Sequence, residues 1–307
     1  MQLIALRYFV MVAATGSFVG TARHFQVQPS SVSRFVSALE REVGQQLFYR
    51  NTRSVRLTEA GERYYLQVRE VLDALDIATE QAAGKETDVR GLVRLNVPVA
   101  LGRLHIAEIV NRLQAAHPDL SVELTLTDAY IDPIQEGADI TLRIGRLADS
   151  GLIARRIGEQ KYVLCAGSSY IKKFGKPRTP EDLRDHSCLS YKGLLGTQRW
   201  SFRQRDTDAT HPVQVDGPLK SNDAEVLVAA ALAGRGIVLF PTWMFDKTCF
   251  HSKKLVKLMP DWIPSQDPTP IDISLISPEN RLRSHKVRVV LDFLLDAIGS
   301  PPYWDDI

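Results

Sequence analysis

The chain is poor in the residues that metal, disulfide and catalytic sites need. It has three cysteines, Cys165, Cys188 and Cys249, and their odd number and wide spacing match neither a metal site nor a disulfide framework. We therefore predict three reduced thiols, at least partly buried. The seven histidines are dispersed, and no nucleophile elbow occurs. These absences predict no metal, no cofactor and no catalytic residues.

Long apolar runs are also missing. No run approaches the roughly 20 residues that a membrane helix needs, and the first residues lack the charged start, apolar centre and cleavage site of a signal peptide. These observations predict a cytoplasmic protein with no membrane partner. The 307 residues, 44% hydrophobic and 24% charged, suit an ordinary globular chain of about two domains.

Lysine is absent from residues 1–60, yet this segment is basic. It holds seven arginines and three glutamates, a net charge of +4, which leaves −2 for the rest of a chain whose total is +2. A basic segment joined to a mildly acidic body is typical of a phosphate-binding module on a scaffold with another task. Chance variation among surface charges is the alternative.

Three short helices are predicted near the N-terminus, at about 3–14, 18–25 and 29–42. Gly16 suits the C-terminal cap of the first helix, and Ser17 suits the N-cap of the second. Pro29 fits the first turn of the third helix, where its missing N–H costs nothing. The helices at about Phe18 to Ala38 would form a helix-turn-helix.

The third helix and the segment after it carry the candidate DNA contacts. Short hydroxyls and the helix dipole favour phosphate at this N-terminus, and Arg34 can reach a guanine edge or a phosphate. Residues 48–57 are typical of a two-stranded wing, whose tip arginines grip phosphate or enter the minor groove. A solvated serine-rich face is the alternative. The predicted DNA-binding residues are Ser30, Ser31, Ser33, Arg34, Ser37, Arg50, Thr52 and Arg53.

The first sixty residues resemble the winged helix-turn-helix of LysR-type transcriptional regulators almost position by position. The resemblance rests on the spaced residues Phe9, Gly16-Ser17-Phe18, Ala22, Ser30-Ser31-Val32-Ser33-Arg34, Leu39-Glu40, Val43-Gly44, Leu47-Phe48 and Arg53 to Gly61. It implies a sequence-specific regulator that binds double-stranded DNA and associates with itself as a dimer or tetramer.

Two neighbouring positions depart from the family pattern. Gln28 stands where the family usually has a serine or threonine N-cap, and Gln is a poor cap. Pro29 stands where the family often has a base-reading Gln, and proline has no side-chain donor. We therefore expect base reading to shift toward Ser30, Ser31 and Arg34.

A long helix is predicted from Thr58 to about Ala83. Its apolar residues fall at heptad spacing, which is typical of a coiled-coil partner, and its 25 residues make a rod about 37 Å long. Packing on its own domain is the alternative to pairing with a second copy. The predicted dimerisation residues are Tyr65, Val68, Leu72 and Leu75.

Beyond residue 88, strands alternate with helices, which predicts parallel α/β units. We expect strands at about 91–97, 121–127, 139–144, 162–166, 236–240 and 271–276, and helices at about 104–117, 131–136, 224–233 and 284–298. This body resembles the family's two-lobed, periplasmic-binding-protein-like effector domain. The segments 149–158 and 221–223 resemble the branch that includes the malate-decarboxylation and meningococcal adhesion regulators.

The chain is thus predicted to be an α+β multidomain protein. Residues 1–59 would form the winged helix-turn-helix, 60–87 the dimerising linker helix, and 88–307 the two-lobed α/β effector domain. Lobe I would hold about 88–160 and 268–299, and lobe II about 161–267.

Ligands of open α/β sheets sit beyond the carboxyl ends of strands and at helix N-termini. We therefore expect a small carboxylate or aromatic effector between the lobes, although ordinary caps and turns, and action without an effector, remain alternatives. The predicted effector-binding residues are Pro98, Val99, Ala100, Leu101, Thr127, Asp128, Ile144, Gly145, Cys165, Tyr191, Asn222 and Asp223.

An enzyme and a solute-binding protein are the two alternative classes of function. For an enzyme, the sequence offers only Gly234-Arg235-Gly236, a fragment of a dinucleotide loop that lies after a helix and before a strand, the wrong order. A solute-binding protein fits the body but not the N-terminal module or the missing signal peptide.

Overall fold

The computed structural model describes residues 2–50, 55–83, 89–129, 137–146, 152–193, 196–197, 199–204, 209–266 and 269–307. It forms two compact units, Met1–Asp88 with Arg283–His285, and Val89–Leu282 with Lys286–Ile307. The first unit contains α1 (Leu3–Thr15), α2 (Phe18–His24), α3 (Pro29–Val43), β1 (Phe48–Arg50), β2 (Val55–Leu57) and α4 (Glu59–Ala83).

The ends of the first three helices follow from their capping residues. Gly16 ends α1 in the left-handed conformation, with φ of 61°, and its N–H donates to the carbonyl of Val12. The Ser17 side chain caps α2 by accepting from the N–H of Gly20 at 2.9 Å. Pro29 opens α3, and Gln28 makes no side-chain capping bond there. The predicted caps and the predicted weakness at Gln28 are confirmed.

The start of α4 is fixed by a cap and by a close backbone approach. The Thr58 hydroxyl accepts from the N–H of Gly61 at 2.9 Å and donates to the carbonyl of Gln46 at 2.7 Å. A Cβ on Gly61 would lie 2.1 Å from the carbonyl oxygen of Leu47. The helix therefore begins where the sequence predicts, against the chain that leads into the wing.

The second unit is a longer series of strands and helices. In chain order these are β3 (Gly91–Val97), α5 (Val99–Leu101), a π-helical turn (Gly102–Ile106), α6 (Ala107–Ala116), β4 (Leu120–Leu126), β5 (Ile140–Ile144), β6 (Leu152–Glu159), β7 (Tyr162–Gly167), α7 (Ser168–Phe174), a 3-10 helix (Pro180–Asp185), β8 (Ser190–Gly193), β9 (Gly196–Thr197), β10 (Trp200–Gln204), β11 (Thr210–Val213), β12 (Lys220–Ser221), α8 (Ala224–Leu232), β13 (Ile237–Pro241), a 3-10 helix (Thr242–Met244), α9 (Lys247–His251), β14 (Leu255–Lys257), β15 (Trp262–Ser265), β16 (Asp272–Pro278), a 3-10 helix (Arg281–Arg283), α10 (His285–Ile298) and a 3-10 helix (Tyr303–Asp305).

Lobe I is built on a five-stranded sheet in the order β4-β3-β5-β16-β6. Strand β3 is parallel to β4 and β5, as predicted, whereas β16 is antiparallel to β5 and β6. The buried stripe of α6 (Ile109, Val110, Leu113) and that of α10 (Val287, Val290, Leu294) belong to the same apolar core as β3. Because β16 enters from lobe II, the late strand returns to lobe I as expected.

Lobe II corrects the expectation that parallel units continue beyond residue 160. Strand β7 is antiparallel to both β13 and β14, and β10 is antiparallel to β11 and β15. Only β8 and β12 are parallel among the named strands of this lobe that the structure describes. A parallel neighbour needs a crossover directly between two strands, and here α8 joins β12 to β13, strands that belong to different sheets.

The helix after β3 begins earlier than predicted. Helical backbone starts at Val99, directly after Pro98, and continues through α5 and the π turn into α6. A Cβ on Gly102 would lie 2.4 Å from Cδ2 of Leu126 and 2.6 Å from Cγ2 of Val97. Glycine thus lets the first turn pack directly on the strand ends. The predicted helix near residues 131–136 lies outside the described residues.

Candidate nucleic-acid interface and ligand cleft

The exposed face of α3 carries the residues predicted to contact DNA. Val32, Val36 and Leu39 are buried in the core of the first unit, which turns the opposite face outward. Ser30 and Arg34 are exposed, and Ser31, Ser33 and Ser37 are half-buried. An exposed helix face with hydroxyls in its first turns and an exposed arginine has the chemistry to approach phosphates and base edges.

The wing follows the predicted hairpin. Strands β1 and β2 pair antiparallel, with Tyr49 opposite Arg56 and Arg50 opposite Val55. Tyr49 is 65% exposed and Arg56 is exposed, so this pair presents a phenol and a guanidinium on one face. The sequence reasoning did not single out Tyr49, although alternation along the strand pointed to it. Thr52 and Arg53 lie outside the described residues.

Arg50 is held by α2 and α3. Its Nη2 lies 2.5 Å from Oε2 of Glu40, its Nη1 donates to Oγ of Ser37 at 3.2 Å, and its guanidinium carbon lies 4.9 Å from the ring centroid of Phe18. The sequence predicted a wing-tip arginine. In the structure Arg50 joins the wing to the helix-turn-helix, and its contact with DNA stays a prediction.

Glu40 is a positioning residue that sequence reasoning did not identify. Besides Arg50, its Oε1 accepts from the backbone N–H groups of Leu47 and Phe48 at 3.0 and 3.2 Å. One carboxylate therefore fixes the end of α3 against the start of β1. Sequence spacing gives no signal for this role, because the partners lie seven to ten residues away across a turn.

The residues of α4 that were predicted to form a dimer seam fall into two groups, one packed in the first unit and one exposed. Val68 and Leu72 are only 5% and 6% exposed and belong to the core of the first unit, and Tyr65 packs against Phe9 with ring centroids 6.4 Å apart. Leu75 is 39% exposed. The prediction that Val68 and Leu72 face a second copy is therefore wrong, because an amphipathic helix first covers its own domain. The apolar stripe left exposed includes Val71, at 60% exposure.

A cleft of about 520 Å³ lies between the two lobes of the second unit. Strand ends and helix starts from both lobes line it, as the topology predicts. Of the predicted effector-binding residues, the structure brings together Pro98, Val99, Ala100, Thr127, Asp128, Ile144, Tyr191, Asn222 and Asp223.

Three predicted effector-binding residues are not among those lining the cleft. Leu101 and Cys165 are fully buried in the apolar core, because the side chains of a strand and of a helix turn point alternately toward the ligand and toward the core. Gly145 donates its N–H to the carbonyl of Asp272 at 3.0 Å. Cys188 is also buried and Cys249 is half-buried, and all three thiols are free, as predicted.

Both helix starts at the cleft already have carboxylate caps. Oδ1 of Asp128 accepts from the N–H of Val99 at 3.0 Å. Oδ1 of Asp223 accepts from the N–H groups of Glu225 and Val226 at 2.8 and 3.2 Å. The backbone amides that the sequence offered to an anion are thus partly satisfied by the chain itself.

One ion pair joins the lobes at the cleft. Nη2 of Arg103, in the π turn of lobe I, lies 3.2 Å from Oε2 of Glu225 in α8 of lobe II, and both residues line the cleft. Tyr191 also lines the cleft. Its pKa is raised by burial first, and then by the negative charges of Asp128 and Asp223.

The floor of the cleft is polar. Asn96 on β3 and Thr141 on β5 are register partners, and both line the cleft. Thr141 is only 6% exposed, and its Oγ1 has no hydrogen-bond partner within the described residues. Nearby, Nε1 of Trp243 donates to Oε1 of Gln160 at 3.2 Å. The sequence reasoning missed these four residues. Asn96 and Thr141 are single polar positions inside strands and carry no period, and Gln160 and Trp243 lie outside the strands, after β6 and after β13.

The described residues hold no cluster of histidine, cysteine and acidic side chains fit for a metal ion. Among the described helices, none is both long and apolar enough to cross a membrane.

A winged helix-turn-helix and a two-lobed ligand cleft in one chain define the class of transcriptional regulators that combine DNA binding with a sensor domain. Two family profiles match, the bacterial regulatory helix-turn-helix of the lysR family over residues 3–62 and the LysR substrate binding domain over residues 86–299. The chain belongs to the LysR family of transcriptional regulators, as the resemblance indicated.

Two named regulators are similar in sequence to this chain over nearly its whole length. LtrA of Klebsiella pneumoniae, a probable HTH-type transcriptional regulator, is 32% identical over 95% of this chain and 94% of its own. TtdR of Escherichia coli K12, an HTH-type transcriptional activator, is 31% identical over 94% and 91%. These relatives are transcriptional regulators rather than enzymes, which decides between the alternatives left open by the sequence.

Two solved structures of regulators are also similar to this chain. The full-length virulence activator AphB of Vibrio cholerae has a TM-score of 0.59 at 28% identity, covering 96% of this chain and 99% of its own. CrgA of Neisseria meningitidis, a LysR-type regulator, has a TM-score of 0.61 at 25% identity, covering 97% and 99%.

Proposed function

We propose that this chain reads a specific DNA sequence with α3 and the wing and changes its regulatory output when a small molecule binds the cleft between the lobes. The observation that carries the proposal is the outward face of α3, where Ser30 and Arg34 are exposed beside a wing tied to the helix through Arg50 and Glu40. The assigned domains are residues 1–59 for DNA binding, 60–87 for linkage and 88–307 for sensing.

The DNA contacts are divided by their chemistry. Arg34 is proposed to read a base edge, and Ser30 and Ser31 approach the same groove because α3 begins there. Ser33, Ser37 and Arg50 are proposed to contribute from the next turns and the wing, together with Thr52 and Arg53, which lie between β1 and β2 in the sequence. Two copies of the chain would place two such helices on successive turns of the duplex.

Self-association is proposed through the apolar stripe of α4 that its own unit leaves uncovered. Val71, Ala74, Leu75 and Ala78 are all exposed, and their spacing of three and four residues keeps them on one helix face. This stripe replaces Val68 and Leu72 in the proposed dimer seam. A dimer or a tetramer built from such dimers fits this surface.

The effector is proposed to lie in the cleft, on the residues that the sequence and the structure share. Tyr191, Phe240 and Trp243 line it, which supports an aromatic or otherwise apolar body in the effector. The carboxylate alternative is less supported, because Asp128 and Asp223 already cap the helix starts. A regulator of chromosomal genes acts in the cytoplasm, and we propose that location.

The experiment is selection of genomic DNA fragments by the purified full-length chain, followed by gel-shift titration of the enriched fragments. We expect a small set of enriched promoter fragments whose binding weakens with salt. Equal recovery of all fragments at every salt concentration would contradict the proposed function.

A further inference from the structure

The cleft has an unusual distribution of charge for a site that takes anions. A helix N-terminus attracts an anion because its first N–H groups lack partners. Here Asp128 accepts from Val99, and Asp223 accepts from Glu225 and Val226. An anionic effector would have to approach these two resident carboxylates.

The two arginines that line the cleft do not give it a net positive charge. Arg103 is paired with Glu225 at 3.2 Å, and Arg143 also has an interaction partner within the chain. The charged lining residues are two arginines and three acids, Asp128, Asp223 and Glu225, so the lining carries one excess negative charge. The cleft therefore favours a cation on electrostatic grounds.

Three groups in the cleft retain hydrogen-bonding capacity for a ligand. The Oδ2 atoms of Asp128 and Asp223 accept no hydrogen bond from the described part of the chain, since only their Oδ1 atoms are engaged. The buried Thr141 hydroxyl on the cleft floor likewise lacks a partner among the described residues. A buried hydroxyl without a partner is costly, and a ligand polar group that reaches it removes that cost.

We propose that the effector of this cleft is a small organic amine with an apolar body. Its protonated nitrogen donates to Oδ2 of Asp128 from lobe I and Oδ2 of Asp223 from lobe II, and a second polar group bonds the Thr141 hydroxyl. Its apolar part lies against Phe240 and Trp243. This inference rests on the proposed function, because it names the ligand class of the same sensor site.

Binding of the amine would also affect how closely the two lobes approach each other. Asp128 and Asp223 carry like charges on opposite lobes, so an ammonium that donates to both carboxylates favours the state in which they are close. A ligand shifts a conformational equilibrium only through such a difference in affinity. The amine is therefore expected to change DNA affinity or transcriptional output.

The test is a thermal-shift and calorimetric titration of the full-length chain with matched pairs of amines and carboxylates. The probes are tyramine against 4-hydroxyphenylacetate, and putrescine and agmatine against succinate. We expect saturable binding and a raised Tm with at least one amine and no saturable shift with the carboxylates. Saturable binding of a carboxylate, or no saturable binding of any amine, would overturn the inference.

Substitutions of cleft residues test where the amine binds. Asp128→Asn and Asp223→Asn keep a good helix cap and are expected to weaken amine binding about tenfold or more, because each removes a charge-assisted hydrogen bond. Thr141→Val, which replaces the buried hydroxyl by a methyl group, should weaken amine binding less and leave the unliganded Tm unchanged or higher. Asp261→Asn, at an exposed turn outside the cleft lining, is the control with unchanged affinity. Equal affinity in all four variants would also overturn the inference.

The DNA-binding assay distinguishes a failure of the amine inference from a failure of the proposed function. A chain that selects specific DNA but binds no amine retains the proposed function and loses only the ligand class. A chain that binds amines but shows no DNA selectivity retains the ligand class and loses the proposed function.

Discussion

Arg50 of the wing and Glu40 of α3 form an ion pair of 2.5 Å. The same carboxylate accepts two backbone N–H groups of the chain that enters β1. Glu40 therefore ties α3 both to the wing arginine and to the backbone that enters β1.

Replacing Glu40 should loosen this surface. Glu40→Ala leaves the N–H groups of Leu47 and Phe48 without their acceptor, and we expect it to lower the free energy of unfolding by about 1–3 kcal/mol and to weaken DNA binding. Glu40→Gln retains an amide oxygen for the two N–H groups and should cost less. Denaturant titration checks both, with Glu62→Ala on exposed α4 surface as the control. An unchanged midpoint in Glu40→Ala would contradict the assigned role.

The exposed stripe of α4 predicts how the chain associates. The double variant Val71→Asp and Leu75→Asp should lower the oligomeric mass measured by light scattering while far-UV circular dichroism stays unchanged, because both side chains are exposed. Leu72→Asp should instead unfold the first unit, since Leu72 is buried in its core. An unchanged mass in a folded double variant would rule out this seam.

His105 predicts a loss of stability in acid. Its Nε2 donates to the carbonyl of Trp243 at 2.7 Å and its Nδ1 lies 2.6 Å from Oη of Tyr303, and burial lowers the pKa of this histidine below its ordinary 6.5 despite the bond to Trp243. The unfolded chain then binds more protons than the folded chain below pH about 6.5, so stability falls as pH decreases through that value toward the lowered pKa.

The measurement is Tm against pH for the wild type and His105→Gln. We expect the variant to be less stable at neutral pH but to lose less on acidification. His117→Gln is the control, since its ring makes no hydrogen bond within the described residues. Parallel pH curves for wild type and His105→Gln would show that another group is responsible.

The three thiols should differ in reactivity. Cys165 and Cys188 are buried, and burial raises the pKa of both thiols, that of Cys188 to about 12. Thiolate is the reactive form, so a thiol reagent should modify Cys249 first under native conditions and all three after unfolding. Mass spectrometry of the modified sites checks the order. Early modification of Cys165 would contradict its burial in solution.

The elements governed by local rules were predictable from sequence. Caps such as Gly16, Ser17 and Thr58, and the apolar period of α3, act within a few residues, and the structure agrees with them. The family-like spacing of the first sixty residues also predicted the wing.

Features that depend on distant packing were not predictable. The antiparallel pairing of β7 with β13 arises from the route of the chain through lobe II, which periodicity does not encode. Glu40 and Thr141 look like ordinary surface and strand residues until their partners, or the lack of them, are known. Val68 and Leu72 fit a dimer seam and a domain core equally well in sequence, and only their burial decides.

Arg34 is the side chain proposed to read the DNA sequence. The most direct measurement is a gel-shift titration of an enriched promoter fragment and a scrambled fragment with the wild type, Arg34→Ala and the α4 surface control Arg63→Ala. We predict that Arg34→Ala loses about 1–3 kcal/mol of specific binding and little binding to the scrambled fragment, while Arg63→Ala matches the wild type. Equal affinity of all three proteins for both fragments would contradict the account.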